Sequence, residues 1–305
     1  MVYNKLSNRK KSAASFFFDC FVYLLFGIYA LICIYPFWYM LIYSISDPKL
    51  VTTGVYILPK GLSLFNLEKV FNLKDIGPAF IMSIVRTTVG TILTVIACSF
   101  LGYLFTKSEM PGRIFLYRML IITMYVSGGL IPNYLVIKSY GLTNSFWVYV
   151  IPSMISAYNV ILIKTFIEQL PASLEESATI DGAGYLRVFI SIIFPLSLPI
   201  IGTIAVFAAV GQWNSWFDNH IYTAGADSLT TLQYLLYKFL NESERIARLL
   251  KEGNMADAQA AAQRQLTPKG VRMTVTMIAT IPIFLVYPYM QRFFIKGIMI
   301  GAVKG

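Results

Sequence analysis

Charge is what this sequence has least of. Only 13% of its 305 residues are charged, against about a quarter in an ordinary soluble chain. Histidine occurs once, at His220, which excludes a histidine cluster. The three cysteines, Cys20, Cys33 and Cys98, all fall inside apolar blocks. An odd, buried set argues against a disulfide framework, and no CxxC spacing offers a metal site. No G-x-x-x-x-G-K-[ST] occurs, so the chain carries no phosphate-cradling loop of its own. No Asp or Glu lies in the middle of an apolar block, and an ion-coupled carrier would need an intramembrane carboxylate or a similar ligand.

What is abundant is apolar. Hydrophobic residues make up 57% of the chain, with a mean hydropathy of +0.64. They come in long blocks rather than in alternation, and blocks of ~20 span a bilayer as helices. The chain therefore reads as an all-α, polytopic membrane protein whose helices satisfy their own backbone groups in lipid. Six spans are expected: about Phe16–Tyr43 with a kink at Pro36, Phe80–Phe105, Ile114–Ile131, Phe146–Phe166, Phe189–Trp213 and Val271–Phe293. The first is too long and too late for a cleaved signal peptide.

Orientation follows from the basic residues. Lys5, Arg9, Lys10 and Lys11 precede the first span and place the N-terminus in the cytoplasm. Six spans return the C-terminus to the same side. Lys107, Arg113 and Arg118 flank a short inner loop, and Arg292, Lys296 and Lys304 follow the last span. The long loops Ser46–Ala79 and Asn214–Gly270 then lie outside. The net charge of +10 belongs with helix ends and anionic lipid heads rather than with nucleic acid. The chain divides into a cytoplasmic N-terminus (1–15), a six-helix domain (16–293) with an inner loop (168–190) and an outer insert (241–270), and a cytoplasmic tail (294–305).

The inner loop is unexpectedly polar: "LEESATIDGAGYLRVFISIIFPLSLPI", Leu174 to Ile200. Pro171 suits a helix start, and Ser173 with Glu176 matches a capping box. A short helix from about Leu174 to Asp181 is expected, with Glu175 and Glu176 in the first turn where the helix dipole favours them. Gly182 sits at the usual C-terminal position. Ser177, Ala178 and Ala183 are small and permit close approach of a partner. A second short helix, Tyr185–Ile190, leads into span five, which Pro195 and Pro199 should bend. Taken alone, this is either a docking knob or an ordinary capped loop.

The spacing Glu176-Ser177-Ala178, Gly182, Ile192-x-Phe194-Pro195 resembles the "EAA…G…I-x-L-P" loop of ABC importer permeases, with Ser177 for the second alanine and Phe194 for the leucine. "LEESATIDGAG" is similar to the carbohydrate branch of that family. "YPFWYMLIYSISDP", "ILPKGLSLFNLEKVF", "SIVRTTVGTILTV" and "KGIMIGAVKG" are similar to maltose-type permeases. "GGLIPNYLVIKSYGLTNSFW" and "GQWNSWFD" resemble the oligosaccharide and polysaccharide subgroup. The resemblance implies a type I importer permease fold in a bacterial plasma membrane, a non-enzymatic transport subunit, and a coupling role for Glu175, Glu176, Ser177, Ala178, Asp181, Gly182, Ala183 and Pro195. It implies that the tail, above all Gly301, Ala302, Val303, Lys304 and Gly305, reaches into the ATPase dimer. The implied partners are a second, homologous permease as heterodimer, two ATPase copies that bind ATP and Mg, an extracellular solute-binding protein, membrane lipid and a glycan. No cofactor is expected on this chain.

Substrate contacts are read from local chemistry. Sugars offer hydroxyls to amides and C–H faces to aromatic rings. "QWNSWFDNH" places Gln212, Asn214 and Asp218 among Trp213, Trp216 and Phe217 at the outer end of span five; the competing reading is an aromatic belt with a capped helix end. Tyr158 and Asn159 in span four are further pathway candidates, because amides are costly against lipid; interhelical bonding is the competing reading. Arg86, near the outer end of span two, is expected to snorkel to the interface, the alternative being a pathway-facing residue paired with a polar ligand or a partner subunit. The insert Asn241–Gly270 is charged and helix-forming, expected as two helices broken at Gly253-Asn254. Two rival functions remain on sequence grounds: a permease for a non-sugar solute such as peptides, and an ion-coupled carrier.

Overall fold

The computed structural model describes residues 13–48, 50, 51, 54, 57–251 and 268–302. Among these residues there is no strand; the secondary structure is helical. The helices are α1 (Ala13–Ser44), α2 (Phe65–Phe71), α3 (Ile76–Leu104), α4 (Arg113–Ile122), α5 (Leu130–Ser139), α6 (Ala157–Ile167), α7 (Ser173–Ile180), α8 (Tyr185–Val188), α9 (Phe194–Leu196), α10 (Leu198–Asn214), α11 (Phe217–Tyr222), α12 (Leu232–Lys251) and α13 (Pro268–Ala302). Short 3₁₀ turns cover Phe146–Tyr149 and Asp227–Leu229.

The spans differ from expectation in two places. Among the described residues, Ser15–Ser44 and Ile76–Leu104 are long and apolar enough to cross a membrane, and the bent pair Tyr185–Leu196 with Leu198–Asn214 adds a third if counted as one. The third expected span, Ile114–Ile131, is instead the ten-residue α4 followed by turns, with a second ten-residue helix, α5, beginning only at Leu130. Gly129 lies between them at φ +83°, a conformation glycine adopts without a Cβ clash. The fourth is a 3₁₀ turn, a non-helical stretch and then the eleven-residue α6. Pro152 within that stretch cannot donate to a helix ladder. The six-span count therefore does not appear as six continuous helices. α1 runs unbroken through Pro36, and α13 through Pro282 and Pro288.

α3 is the centre. It packs mainly on α10 and α6, while α13 packs on α1, α10 and α12. One face of α3 carries Ala79, Ser83, Arg86, Gly90, Thr94, Cys98 and Gly102, all buried and spaced three or four apart. Helices in lipid gain little from apolar burial and associate by close packing, which small residues permit. Gly102 shows how close: a Cβ there would lie 2.8 Å from Ile163 Cγ2. Apolar clusters form at both ends of α3. One joins Cys98 and Tyr103 to Ile163, Phe189 and Ile204. The other joins Ile76 and Ala79 to Trp213, Leu235 and Val275. α1 leaves most of its large apolar side chains exposed, a surface suited to lipid or another apolar helix.

Candidate functional site

The residues singled out in the sequence fall in two polar places among the described residues: the knob after α6, and a cleft between α3, α6 and α10.

The knob begins at Pro171. Leu174 N donates to Pro171 O at 3.2 Å, and Glu175 N and Glu176 N donate to Ala172 O at 3.0 and 3.1 Å. The backbone thus satisfies the first free N–H groups, and the expected capping box does not form. Ala172, not Ser173, holds the cap position, without a side-chain bond. Ser173 is the first helical residue, and Ser177 Oγ donates to Ser173 O at 2.8 Å. The other end matches expectation. Gly182 has φ +80°; its N–H donates to Thr179 O at 3.0 Å, and Ala183 N–H to Ala178 O at 2.9 Å. These paired bonds are a Schellman closure.

The knob is anchored on one side and bare on the other. Ala178 and Ala183 pack against the apolar cluster at the end of α3. Lys107 forms an ion pair with Glu175 and sits 4.3 Å from the centre of the Tyr103 ring. Glu176, Ser177, Thr179, Asp181 and Gly182 are exposed, and Ile180 is 86% exposed. Beside them, the Glu109 carboxyl is held below its usual range by its own backbone N–H and by Ser108 Oγ. After the knob come α8, a π-helical turn Phe189–Ile193 and α9, which carries the exposed Pro195. The chain then bends by 82° into α10. Pro199 has no N–H to return to Pro195, so the helical ladder breaks at the expected prolines. At the far end of α13, Gly301 and Ala302 continue the helix; Val303, Lys304 and Gly305 lie outside the described residues.

The cleft has a volume of about 540 Å³. It gathers three of the residues expected on the pathway, Tyr158, Asn159 and Gln212, with Arg86, Thr94, Ser153, Ser156, Ser215 and Asp218. Asn159 is 7% exposed and lines this space. The stretch 150–156, non-helical apart from turns, runs along the same cleft through Ser153 and Ser156. Irregular backbone at membrane depth is tolerated where it lines a cavity. The other three candidates point elsewhere. Trp213 Nε1 donates to Ala279 O at 2.9 Å, Asn214 Oδ1 accepts from Gln233 at 3.4 Å, and Trp216 stacks on Tyr237 with ring centres 4.0 Å apart.

Arg86 does not snorkel. It is 2% exposed and pairs with Asp218: Nη1 donates to Asp218 Oδ1 at 3.0 Å, and Nη2 to Oδ2. Nε donates to Gln212 Oε1 at 2.9 Å and Nη1 to Ser215 O at 3.2 Å. The guanidinium also lies 4.5 Å from the centre of the Tyr149 ring. Gln212 in turn donates to Tyr149 O at 3.2 Å and Ser153 Oγ at 2.9 Å. A fork-to-fork pair with further bonds repays the desolvation that a lone buried charge could not. Its position near the outer end of span two singled Arg86 out, but its partner lies 132 residues on, beyond any local pattern.

Gly90 makes this arrangement possible, and sequence reasoning missed it. A Cβ at Gly90 would lie 2.7 Å from Gln212 Cδ and Nε2. Gln212 is bonded at both ends and cannot swing aside without losing Arg86 or Ser153. Gly90→Ala should therefore destabilise by about 1–3 kcal/mol, the usual cost of overpacking. Thermal unfolding of the purified transporter checks this; an unchanged midpoint with unchanged uptake counts against it. The repeated small residues along α3 were the available signal.

No protein-family model matches the sequence. Individual proteins do. The chain is 34% identical over 290 residues to the polygalacturonan/rhamnogalacturonan transport system permease protein YtcP of Bacillus subtilis (strain 168), covering 94% of this chain and 98% of that protein. It is 36% identical over 289 residues to protein LplC of the same organism, covering 94% and 95%. The fold matches a chain in the crystal structure of a bacterial ABC transporter involved in import of the acidic polysaccharide alginate. There the TM-score is 0.82 at 26% identity, covering 94% of this chain and 99% of that one. With relatives above 30% identity aligned almost end to end, and the same fold in a solved importer, the chain belongs to the permease subunits of carbohydrate ABC importers.

Proposed function

We propose that this chain forms one half of a glycan translocation pathway and receives the energy of ATP hydrolysis through α7. The observation that carries this is the knob itself: an eight-residue helix, closed by Gly182, anchored by Lys107 and Ala178, with a bare outer face ending at Ile180. An exposed apolar tip on a rigid mount suits a socket on another protein. We assign that socket to a cytoplasmic ATPase, with Glu175, Glu176, Ser177, Ala178, Asp181, Gly182 and Ala183 forming or shaping the contact. ATP and Mg bind to that partner, present in two copies. The tail from Gly301 to Gly305 makes a second contact with it.

The path from knob to cleft is continuous in the chain. α7 leads through α8, the π turn and α9 to the bend, and α10 carries Gln212 at its far end. A displacement at α7 therefore moves a wall of the cleft as a rigid element, the two-state behaviour that alternating access needs. The cleft, with Tyr158, Asn159 and Gln212 on it, is this chain's share of the pathway. A second, homologous permease supplies the other wall. A solute-binding protein delivers an oligosaccharide or polysaccharide fragment from outside, as the names of the relatives suggest. The chain sits in a bacterial plasma membrane with both termini in the cytoplasm.

Glu176→Lys tests the coupling. It reverses a charge on the exposed face without touching the Lys107–Glu175 pair. Uptake should fall by more than about tenfold, the factor corresponding to ~1.4 kcal/mol. The chain should remain in the membrane at its normal level, and ATP hydrolysis by the assembled transporter should no longer respond to loaded binding protein. Normal uptake by this variant would sink the assignment of α7.

A further inference from the structure

We propose that the outer side of this chain carries a second glycan subsite, in a groove between the segment before α3, α11 and α12. The inference rests on the reading of the chain as a glycan permease whose loop 214–270 lies outside. The groove has a volume of about 610 Å³, within the range of about 300–1,000 Å³ usual for small-molecule sites. It is distinct from the cleft, with which it shares no lining residue. α11 divides the two: Asp218 lines the cleft and His220 the groove. Positions two apart on a helix do not share a face. A glycan in the groove therefore lies one short helix away from the pathway.

The groove is built from fixed aromatic and polar groups. Tyr234, Lys238 and Asn241 line it from α12, and spacings of four and three put them on one helix face. Tyr237 is held between Trp216, with ring centres 4.0 Å apart and 17° between planes, and Tyr234, at 6.2 Å and 19°. His220 lies 5.5 Å from the Tyr237 ring centre, and its Nδ1 is 3.3 Å from Tyr234 Oη. Lys238 Nζ sits 4.7 Å from the centre of the Tyr234 ring. Groups placed before a ligand arrives lower the ordering cost of binding. Lys74 and Asp75, both exposed, line the groove from the segment before α3. Aromatic residues of an interfacial belt sit among lipid headgroups; these rings instead gather round a hollow that also holds charged side chains of both signs. The ammonium, imidazole, amide and carboxylate groups are hydrogen-bond partners for sugar hydroxyls, and Tyr237 and Phe239 offer ring surface to sugar C–H groups. Lys74 and Lys238 also pair with a carboxylate, so the groove admits uronates as well as neutral sugars.

The test uses the complete transporter, this permease with its partner permease and ATPases, in lipid nanodiscs without binding protein. Hexuronate and neutral oligosaccharides of matched length, each carrying a diazirine at the reducing end, are photolysed with it, and the labelled peptides are mapped by mass spectrometry. Labels should fall on residues 73–75 or 234–242 as well as on peptides of the cleft. His220→Ala with Lys238→Ala removes two exposed groove groups and should lower groove labelling by at least about tenfold, one decade in affinity, with cleft labelling unchanged. Lys74→Ala probes the facing segment without touching α11 or α12, should lower groove labelling too, and decides the matter if the double variant fails to assemble. Labels confined to the cleft overturn the proposal. So does groove labelling that neither variant lowers. Variants that keep the glycan label but lose capture of the binding protein make the groove a protein-docking face, and also overturn it. Failure of the underlying reading looks different: with either class of sugar, label at neither place removes the pathway and the subsite together.

Discussion

Gly182→Pro should abolish uptake while leaving the chain in the membrane. Gly182 holds φ at +80°, and proline is locked near −65°. The substitution also deletes the Gly182 N–H bond to Thr179 O and swings Ala183 away from Ala178 O. Both bonds of the closure go, so α7 loses its fixed angle to α8. A local cost of ~3 kcal/mol or more should lower uptake by more than about a hundredfold if the helix must keep that angle to transmit force. Gly182→Ala separates strain from disruption. A Cβ there meets nothing within 4 Å, so alanine adds only the left-handed strain of about 1–2 kcal/mol. Uptake should then fall by a modest factor, with the N–H bond retained. The measurements are uptake, chain abundance in membranes and substrate-stimulated ATP hydrolysis. Wild-type uptake with proline at 182 would refute the lever.

Arg86→Ala should have the larger effect on stability. Breaking one side of a buried ion pair costs about 3–5 kcal/mol, because the remaining charge is stranded. Here the loss spreads: Asp218 loses its counter-charge, Gln212 loses its orienting donor and Tyr149 loses its cation. Those residues lie on α11, α10 and the 3₁₀ turn before the cleft, so the three segments should loosen together. The expected result is a sharp drop in membrane-inserted chain and in the unfolding temperature of the purified transporter. Arg86→Leu combined with Asp218→Leu should recover much of the loss, since an apolar pair strands no charge. A transporter as stable with alanine at 86 as without it would show that the network contributes nothing.

The knob and the cleft were legible to different degrees for a physical reason. The knob is local: Gly182, Pro195 and Pro199 act within a few residues, so their turn and bend could be read from spacing; the first helix agrees to within a residue, while α8 ends at Val188, two residues short of the expected Ile190, and passes into the π turn. The capping box failed because the backbone carbonyls of Pro171 and Ala172 reach the free N–H groups first, a competition spacing does not show. The cleft is non-local. Tyr158, Asn159 and Gln212 were recognisable as misplaced polar groups, but Trp213, Asn214 and Trp216 looked equally eligible. On a helix such as α10, rotation about the axis decides which neighbour faces which space, and that depends on what packs against it. Trp213 is drawn to Ala279 on α13, which turns Gln212 toward α3.

By itself the sequence determined the membrane class, through apolar blocks too long for a soluble core, and the closed and bent elements after α6, through residues whose backbone limits hold in any context. Only the tertiary structure decided where the polar groups go. It interrupted the fourth of the six expected spans, since a backbone break is tolerated at membrane depth when it lines a cavity rather than lipid, as Ser153 and Ser156 do. It turned Arg86 from a snorkelling cation into the bonded centre of the cleft, because the carboxylate that makes burial affordable is brought to it by α11, which no local pattern relates to α3.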